Sequence, residues 1–458
     1  MPSRCARMPA VSAVSAAPLP APPRTLGTGL LLVVLVVAFE AMAVGTVLPR
    51  VASELQGLSL YGWASSAFLL SSLFGAVLGG VLSDRRGLAW GAGFSLAVFA
   101  AGLLVGGLAP TMLVFVLGRL IQGLGAGGLG ALPFAVVTAH YPEAQRARML
   151  AAVASAWLLP ALVGPLVASL IADTWSWRAV FWGLVPLLAL IAPLCLWPLR
   201  GPAPRVGEGS GGAGLLRPAL GLALAAGALV EGLRSPGPLG AGLVGLGGAG
   251  VVLTARHLFP AGLLRFAGGL PTALAVRGLA AFALLGANSF LPLALHELRG
   301  LSLTAAGWVL SLGGATWTLG SWAQAQAERR WGPGSRPLRV RVGLGLMATG
   351  LLASALAVLG GLPLWAVYPS WVLACFGMGV GYNSNSLYAL AAAPPGESGR
   401  LSGQLANIEV LMVAVAAGVG GALIARLPLE RAFALAFAVT LLAAVLGWLA
   451  AGRLRRTS

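Results

Sequence analysis

The 458-residue chain has no lysine, only 12 acidic residues and three histidines. Charged residues make up 9% of it, where a soluble domain carries about 25%. A water-facing surface of ordinary extent cannot be built from such a sequence. The three cysteines (Cys5, Cys195, Cys375) are far apart and lack metal-ligand spacing, which excludes a disulfide framework and a zinc site. With no cluster of His and Asp, a membrane enzyme has no candidate centre, and neither a metal nor a cofactor is expected. The net charge of +17 is carried by arginine alone. No compact basic segment holds it, so nucleic acid is not the expected partner; the arginines fall between apolar runs.

Those runs are what the chain has in abundance. Hydrophobic residues reach 58% and mean hydropathy is +0.90. The 66 glycines and 30 prolines are better tolerated in membrane helices than in soluble ones. Runs long enough to cross a bilayer fall at about 27–49, 59–82, 88–108, 111–138, 147–172, 178–198, 215–233, 239–255, 271–294, 303–325, 341–361, 364–392, 399–425 and 431–451. The expectation is an all-α polytopic membrane protein of fourteen helices. Twelve remain if the short, Gly-rich runs at 215–233 and 239–255 do not cross. Residues 1–24, rich in Pro, Ala and Ser, lack the apolar core of a signal peptide and read as a disordered cytoplasmic tail. Placing the N-terminus inside puts 21 of the 29 basic residues in cytoplasmic segments, six outside and two within spans. That bias predicts both termini in the cytoplasm.

An internal repeat runs through the chain. Leu48-Pro49 and Glu54-Leu-Gln-Gly-Leu-Ser-Leu60 recur as Leu291-Pro292 and Glu297-Leu-Arg-Gly-Leu-Ser-Leu303, offset by 243 residues. Asp84-Arg85-Arg86 then matches Glu328-Arg329-Arg330. At an offset of 254, Gly123, Gly125 and Gly127 match Gly377, Gly379 and Gly381, and Glu143 and Arg146 match Glu397 and Arg400. Six helices therefore recur in the same orientation as six more. The expected units are a tail at 1–24, a first half at 25–199, a linker with two extra spans at 200–270, a second half at 271–452, and a tail at 453–458. Parallel six-helix halves are a transporter architecture with the substrate path between them.

Charges inside the spans are expensive and so mark function. Glu40 sits about 9 residues, or roughly 14 Å, from Pro49, and Arg119 about 12 Å from the outer end of its helix, so the two can meet at one level. Gln122 shares the face of Arg119. In the second half Glu409 and Arg277 are the membrane charges, and a mutual pair is one reading. Asn383, Ser384, Asn385, Ser386 and Tyr388 form a polar stretch. It serves either as cavity lining or as helix–helix hydrogen bonds. Tyr382 and Trp308 are candidate aromatic surface for a substrate. His140, His257 and His296 lie at helix ends or loops and read as solvated; Asp173 and Glu231 read as rim charges. The GxGxxG at Gly123, Gly125 and Gly128 follows no strand, which removes the nucleotide reading and leaves close helix packing.

Four motifs carry a resemblance. Gly79-Gly-Val-Leu-Ser-Asp-Arg-Arg-Gly87 and Leu117-Gly-Arg119-Leu-Ile-Gln122-Gly-Leu-Gly-Ala-Gly-Gly128 resemble two signatures of the major facilitator superfamily. Gly164-Pro165 resembles its antiporter signature, and Glu40 through Leu48-Pro49 resembles the first-helix signature of its fourteen-helix drug:proton antiporters. Leu88, Ala89, Met42, Ala43 and Val44 depart from the family's pattern. The resemblance, which covers about 27–451, implies a major facilitator fold. It implies a conformational latch at Gly80, Asp84, Arg85 and Gly87, with Asp84 facing the dipole of a helix that begins near Ser398. It also implies a helix bend at Gly164 and Pro165, and an opening Trp177-Arg178-Ala-Val-Phe181. That last motif also reads as an interfacial Trp with a snorkelling Arg.

The expected function is a proton-coupled exporter of amphipathic or lipophilic small molecules, of the multidrug-efflux type. Glu40, Arg119 and Glu409 are its proton-coupling residues; Gln122, Trp308, Tyr382, Asn383, Asn385 and Arg277 line its cavity. Export of one metabolite or lipid is the alternative, and a proton-linked importer fits less well. The partners expected are the substrate, protons and the lipid bilayer of the cell (inner) membrane, around a monomer.

Overall fold

The structure, a computed structural model, describes residues 24–200, 211–392 and 398–454. The expected tails at 1–24 and 453–458 fall mostly outside the described residues, as does 201–210 of the linker. Among the described residues there are sixteen α-helices and no strand. The first half comprises α1 (Arg24–Glu54), α2 (Tyr61–Arg86), α3 (Leu88–Gly107), α4 (Met112–His140), α5 (Glu143–Ser155), α6 (Leu158–Thr174), α7 (Trp177–Trp182) and α8 (Leu184–Leu196). A hairpin of α9 (Gly211–Arg234) and α10 (Gly237–Leu258) follows. The second half comprises α11 (Leu270–Arg299), α12 (Leu303–Trp331), α13 (Arg336–Leu359), α14 (Val367–Ala391), α15 (Ser398–Arg426) and α16 (Leu429–Ala451).

These helices make fourteen passes, because α5–α6 and α7–α8 are each one pass broken once. At a rise of 1.5 Å per residue, about 20 residues cross the hydrocarbon core. The hairpin helices, with 24 and 22 residues, are full crossings rather than short segments. Thirteen of the described passes are apolar enough to cross by composition. The fourteenth, α12, is 29 residues long but diluted by hydroxyls. Thr316, Thr318 and Ser321 return those hydroxyls to the carbonyls of Leu312, Gly314 and Trp317 at 2.9–3.2 Å, which satisfies them without water.

The Gly164-Pro165 motif does not interrupt its helix. Helical structure runs through Gly164-Pro165, and the interruption lies at Ala156 and Trp157. Pro165 lacks an N–H, so the carbonyl of Ala161 loses its helical donor. That oxygen faces Gly314 of α12, where a Cβ would collide with it. The motif therefore shapes a contact between the halves.

The matching glycines of the repeat do the same job twice. A Cβ on Gly123 or Gly127 would strike the carbonyls of Phe68 or Ser72 on α2, and one on Gly125 would strike the backbone of Phe99 on α3. In the second half Gly377 and Gly381 lie on the backbone of α13, and Gly379 on that of α12. Backbones can approach this closely only where side chains are absent.

With fourteen passes both described ends of the chain lie on one face, here the terminal face; the opposite one is the far face. The halves touch from the far face to mid-depth. Gly62 of α2 meets Gly421 of α15 backbone to backbone. Tyr61 donates to the carbonyl of Ser289 at 3.2 Å, Ser66 to that of Ala414 at 2.8 Å, and Thr304 to Asp173 at 2.8 Å. Toward the terminal face Asp84, Arg85, Trp322 and Trp331 are exposed.

Replacing Gly127 by Val is expected to abolish folded, monodisperse protein on size-exclusion chromatography, since overpacking against a backbone oxygen cannot relax. Gly130→Val, on the same helix with open space around it, is expected to elute like wild type.

Candidate functional site

Among the described residues, two charged clusters sit deep in the helical bundle, one in each half, and a third, Glu328 with Arg336 and Arg339, lies where α12 turns into α13. In the first, Glu40 of α1 is 1% exposed, Arg119 of α4 is 4% and Gln122 is 0%. Arg119 forms an ion pair with Glu40 through Nη1, which also donates to Gln122 Oε1 at 2.6 Å. Its Nε donates to the carbonyl of Ala64 on α2 at 3.2 Å, and its guanidinium lies 4.1 Å from the ring centroid of Phe68. Arginine suits this place because its planar fork spreads one charge over several partners. Glu40 and Arg119, placed at one depth by counting from Pro49 and Thr111, do meet, although α1 runs past Pro49 to Glu54. Glu40 Oε2 and Gln122 Nε2 have no hydrogen-bond partner. The carboxylate is thus held through one oxygen only, in surroundings that penalise an unmatched charge.

The second cluster is built differently. Arg277 of α11 donates to Glu409 of α15 through Nη2 at 3.0 Å and Nε at 3.2 Å, and to Ser386 of α14 at 2.6 Å. Tyr382 of α14 donates its hydroxyl to the same Glu409 oxygen, and Arg277 lies 3.3 Å from the centre of its ring. One oxygen of Glu409, Oε2, accepts all three bonds. The side chain of Glu409 is 23% exposed, so the second acid is within reach of solvent and the first is not. The clusters are not repeat copies. At the offset of 243, Glu40 matches Ala283 and Arg277 matches Val34.

Several of the expected cavity residues also tie helices together. Asn385 is buried and donates to the carbonyl of Ala273 at 2.9 Å, joining α14 to α11, and with Arg277 and Tyr382 it lines a small recess between α11, α13 and α14. Asn383 donates to Ser321 of α12 at 2.8 Å, joining α14 to α12. Gln122 belongs to the Arg119 cluster and has no exposed face. Trp308 is half exposed near the far end of α12; the ring against Tyr382 is Trp317, edge-on at 5.4 Å. Trp317, Ser386 and Phe68 were missed. Ser386 stood in the polar stretch, but nothing in the periodicity of α12 favours Trp317 over Trp308, and Phe68 carries no sequence signal.

The remaining motifs sort by geometry. Gly87 has a φ of +91°, which favours glycine where α2 turns into α3. Gly79 lies against Gly128, while Gly80 has open space. Asp84 and Arg85 are exposed, and the side chains of residues 398–400, opposite which the latch was expected, are outside the described residues. Trp177 is fully buried: it donates to Glu54 at 2.8 Å and stands edge-on to Phe115 and Phe181. Arg178 pairs with Glu54 as well, so this motif fastens α7 to the far end of α1. Gly164 faces Met42 and Phe39 of α1. His257 and His296 are exposed, and His140 is half-buried.

Comparison with known proteins agrees with this layout. The family model described as Major Facilitator Superfamily matches residues 30–417. A probable multidrug-efflux transporter of Mycobacterium tuberculosis is 27% identical over 88% of both chains. Multidrug resistance protein 3 of Bacillus subtilis is 30% identical over 35% of this chain and 32% of its own. Among solved structures, a peptide transporter bound to sulfate superposes with a TM-score of 0.68 at 17% identity, covering 93% of this chain and 94% of that one. At that identity the likeness shows the fold alone.

Removing one partner of a buried pair leaves the other uncompensated, at a cost of about 3–5 kcal/mol. Arg119→Met is therefore expected to lower the thermal midpoint strongly, and Glu40→Gln/Arg119→Met to recover part of that loss. Thermal unfolding in detergent checks the cycle; additive losses would mean the two side chains do not interact.

Proposed function

Because this chain belongs to the major facilitator superfamily, we propose that it works as a proton-coupled exporter of amphipathic or lipophilic small molecules by alternating access. Membership in a transporter family makes transport its class of activity, and its relatives of the multidrug-efflux kind point to export. The observation that carries proton coupling is the Glu40–Arg119 pair: a carboxylate at mid-membrane depth, held by one guanidinium and shut off from solvent.

The arginine bias puts the terminal face in the cytoplasm. The described state is then inward-facing, closed between α2 and α15 and between α6 and α12. Asp84 of the loop latch is exposed in this state, as a latch that closes only when the cytoplasmic ends come together would be. Glu40 gives up its charge when a proton arrives from outside, and Arg119 then loses its strongest partner while keeping Ala64 and Phe68. The pair thus has two charge arrangements, one for each direction of opening. A proton entering across 100 mV contributes about 2.3 kcal/mol, which sustains roughly a fiftyfold gradient of a neutral substrate. Glu409 is the second candidate for proton coupling. Reachable from solvent and beside Tyr382, against which Trp317 packs, it offers polar and aromatic surface to a bound compound. The protein is taken to act as a monomer in the cell membrane.

In inverted vesicles with an imposed pH gradient, wild type is expected to accumulate several members of a panel of lipophilic compounds. Glu40→Gln, compared at equal amounts of folded protein because Arg119 loses its charge partner, is expected to lose gradient-driven uptake, and Glu409→Gln to transport with fewer protons per substrate. Gradient-driven uptake at the wild-type rate in Glu40→Gln would sink the proton assignment. Acceptance of one compound from the panel would favour a dedicated metabolite or lipid exporter.

A further inference from the structure

The α9–α10 hairpin, absent from the six-plus-six repeat, has no part in either deep charge cluster. Its fastenings are nonetheless unequal between the halves. At the far face Arg426 of α15 donates to the carbonyls of Leu233 and Ser235 at 2.8 and 2.9 Å. These lie at the end of α9, where helical carbonyls lack their own donors. Lower on the same pair of helices, the Gly418 backbone lies against Val230, where a Cβ would collide with the valine. At the terminal face Gln404 of α15 donates to the carbonyl of Leu258 at 2.8 Å, and Arg453 to that of Arg265 at 3.2 Å. The second half thus grips the hairpin at both ends.

The first half holds it through α2, and near the far face. Trp63 donates its indole N–H to Glu231 at 2.8 Å, and its ring and Leu70 lie against Gly227. Glu231 is oriented from its own helix by Arg234 at 2.7 Å and Ser235 at 2.9 Å, so it presents a fixed carboxylate to the indole. Trp63 directly follows Gly62, the residue that meets Gly421 across the seam between the halves. When the far face opens, α2 and α15 part there, and the hairpin can follow only one of them.

We propose that the hairpin is a rigid extension of the second half that straps the far-face seam, with Trp63–Glu231 as the catch that lets go when the seam opens. Arg426 and Gln404 bind backbone carbonyls at opposite ends of the hairpin, which fixes both its position and its tilt relative to α15. α2 also packs along α9, but the catch is the side-chain hydrogen bond in that contact, and breaking it leaves Glu231 with Arg234 and Ser235. Release therefore strands no buried charge, whereas withdrawing Arg426 would leave two helix-end carbonyls without a donor. The inference rests on alternating access and not on proton coupling.

Spin labels at three exposed far-face positions, Leu239 on α10, Leu108 after α3 and Leu359 on α13, report which half the hairpin follows. Gly307→Trp wedges α12 from α6, where a Cβ would already lie 3.1 Å from the Pro165 carbonyl. Tyr61→Phe/Ser66→Ala loosens the seam without added bulk if the wedge does not fold. In either variant the 239–359 distance is expected to stay at its wild-type value and the 239–108 distance to lengthen. Trp63→Phe, which keeps an aromatic side chain but removes the N–H and the ring edge against Gly227, is expected to enlarge the long-distance fraction of 239–108 in an otherwise wild-type chain. A constant 239–108 distance with a changed 239–359, or change in both, overturns the proposal. No transport measurement enters, so failure here leaves the proton reading standing.

Discussion

A guanidinium and a carboxylate taken out of water each lose solvation worth several kcal/mol, and their mutual attraction restores it only when the geometry is close and the remaining donors are met. At Glu40–Arg119 that condition involves three helices at once. The acid comes from α1, the cation and Gln122 from α4, and the carbonyl of Ala64 with the ring of Phe68 from α2. The helices must lie close together for this, and the glycines supply the closeness: Gly123 and Gly127 let α4 lie on the α2 backbone directly below the Arg119 level. The Gly-rich run and the charge pair are therefore one device. A bulkier α4 would hold α2 away and leave Arg119 short of the partners that make its burial tolerable.

The same helix, α2, carries three contacts of different kinds along its length. Ala64 and Phe68 hold Arg119; Gly62 and Ser66 touch α15 across the seam; Trp63 holds the hairpin. These residues fall within two turns. A change in the charge of Glu40 acts first on Arg119, and α2 is the element that both Arg119 and the far seam share. That is a physical link between a protonation event and an opening between halves. It needs no path longer than one helix. The second cluster joins the seam in the same way from the other side, since Glu409 and Ala414 are little more than one turn apart on α15.

Much of this was legible from the residues, for identifiable reasons. Depth in a membrane helix is a matter of counting from a landmark near its end, and Pro49, though α1 runs on to Glu54, and Thr111 serve as landmarks for Glu40 and Arg119. Their meeting could thus be read before any coordinates. Composition and the 243-residue repeat likewise gave the helix number and the two halves. What counting cannot supply is rotation about the helix axis when the apolar pattern is weak. α12 mixes Trp, Thr, Ser and Gly on every face, so Trp308 and Trp317 were indistinguishable, and only packing against α14 chooses the second. The hydrogen bond of Asn385 to Ala273 was hidden for a related reason: a polar residue in an apolar helix needs a hydrogen bond, and a neighbouring backbone carbonyl supplies one as well as a cavity does.

Tertiary position without periodicity is harder still. Nothing in Trp63 or Glu231 marks them as partners, because they lie in different segments joined by no repeat and no motif. Depth alone marks Glu231 as a rim charge and says nothing of Trp63 beside it. Yet the constraint that creates the contact is general. Once α9 lies along α2 and α15, its last carbonyls and its one carboxylate must find donors at the membrane edge. Arg426 and Trp63 are the donors those two helices place there. One donor is a charged side chain on two backbone oxygens; the other is a neutral indole on an acid already satisfied from its own helix. The unequal strength of those two bonds, rather than any sequence motif, decides which half keeps the hairpin.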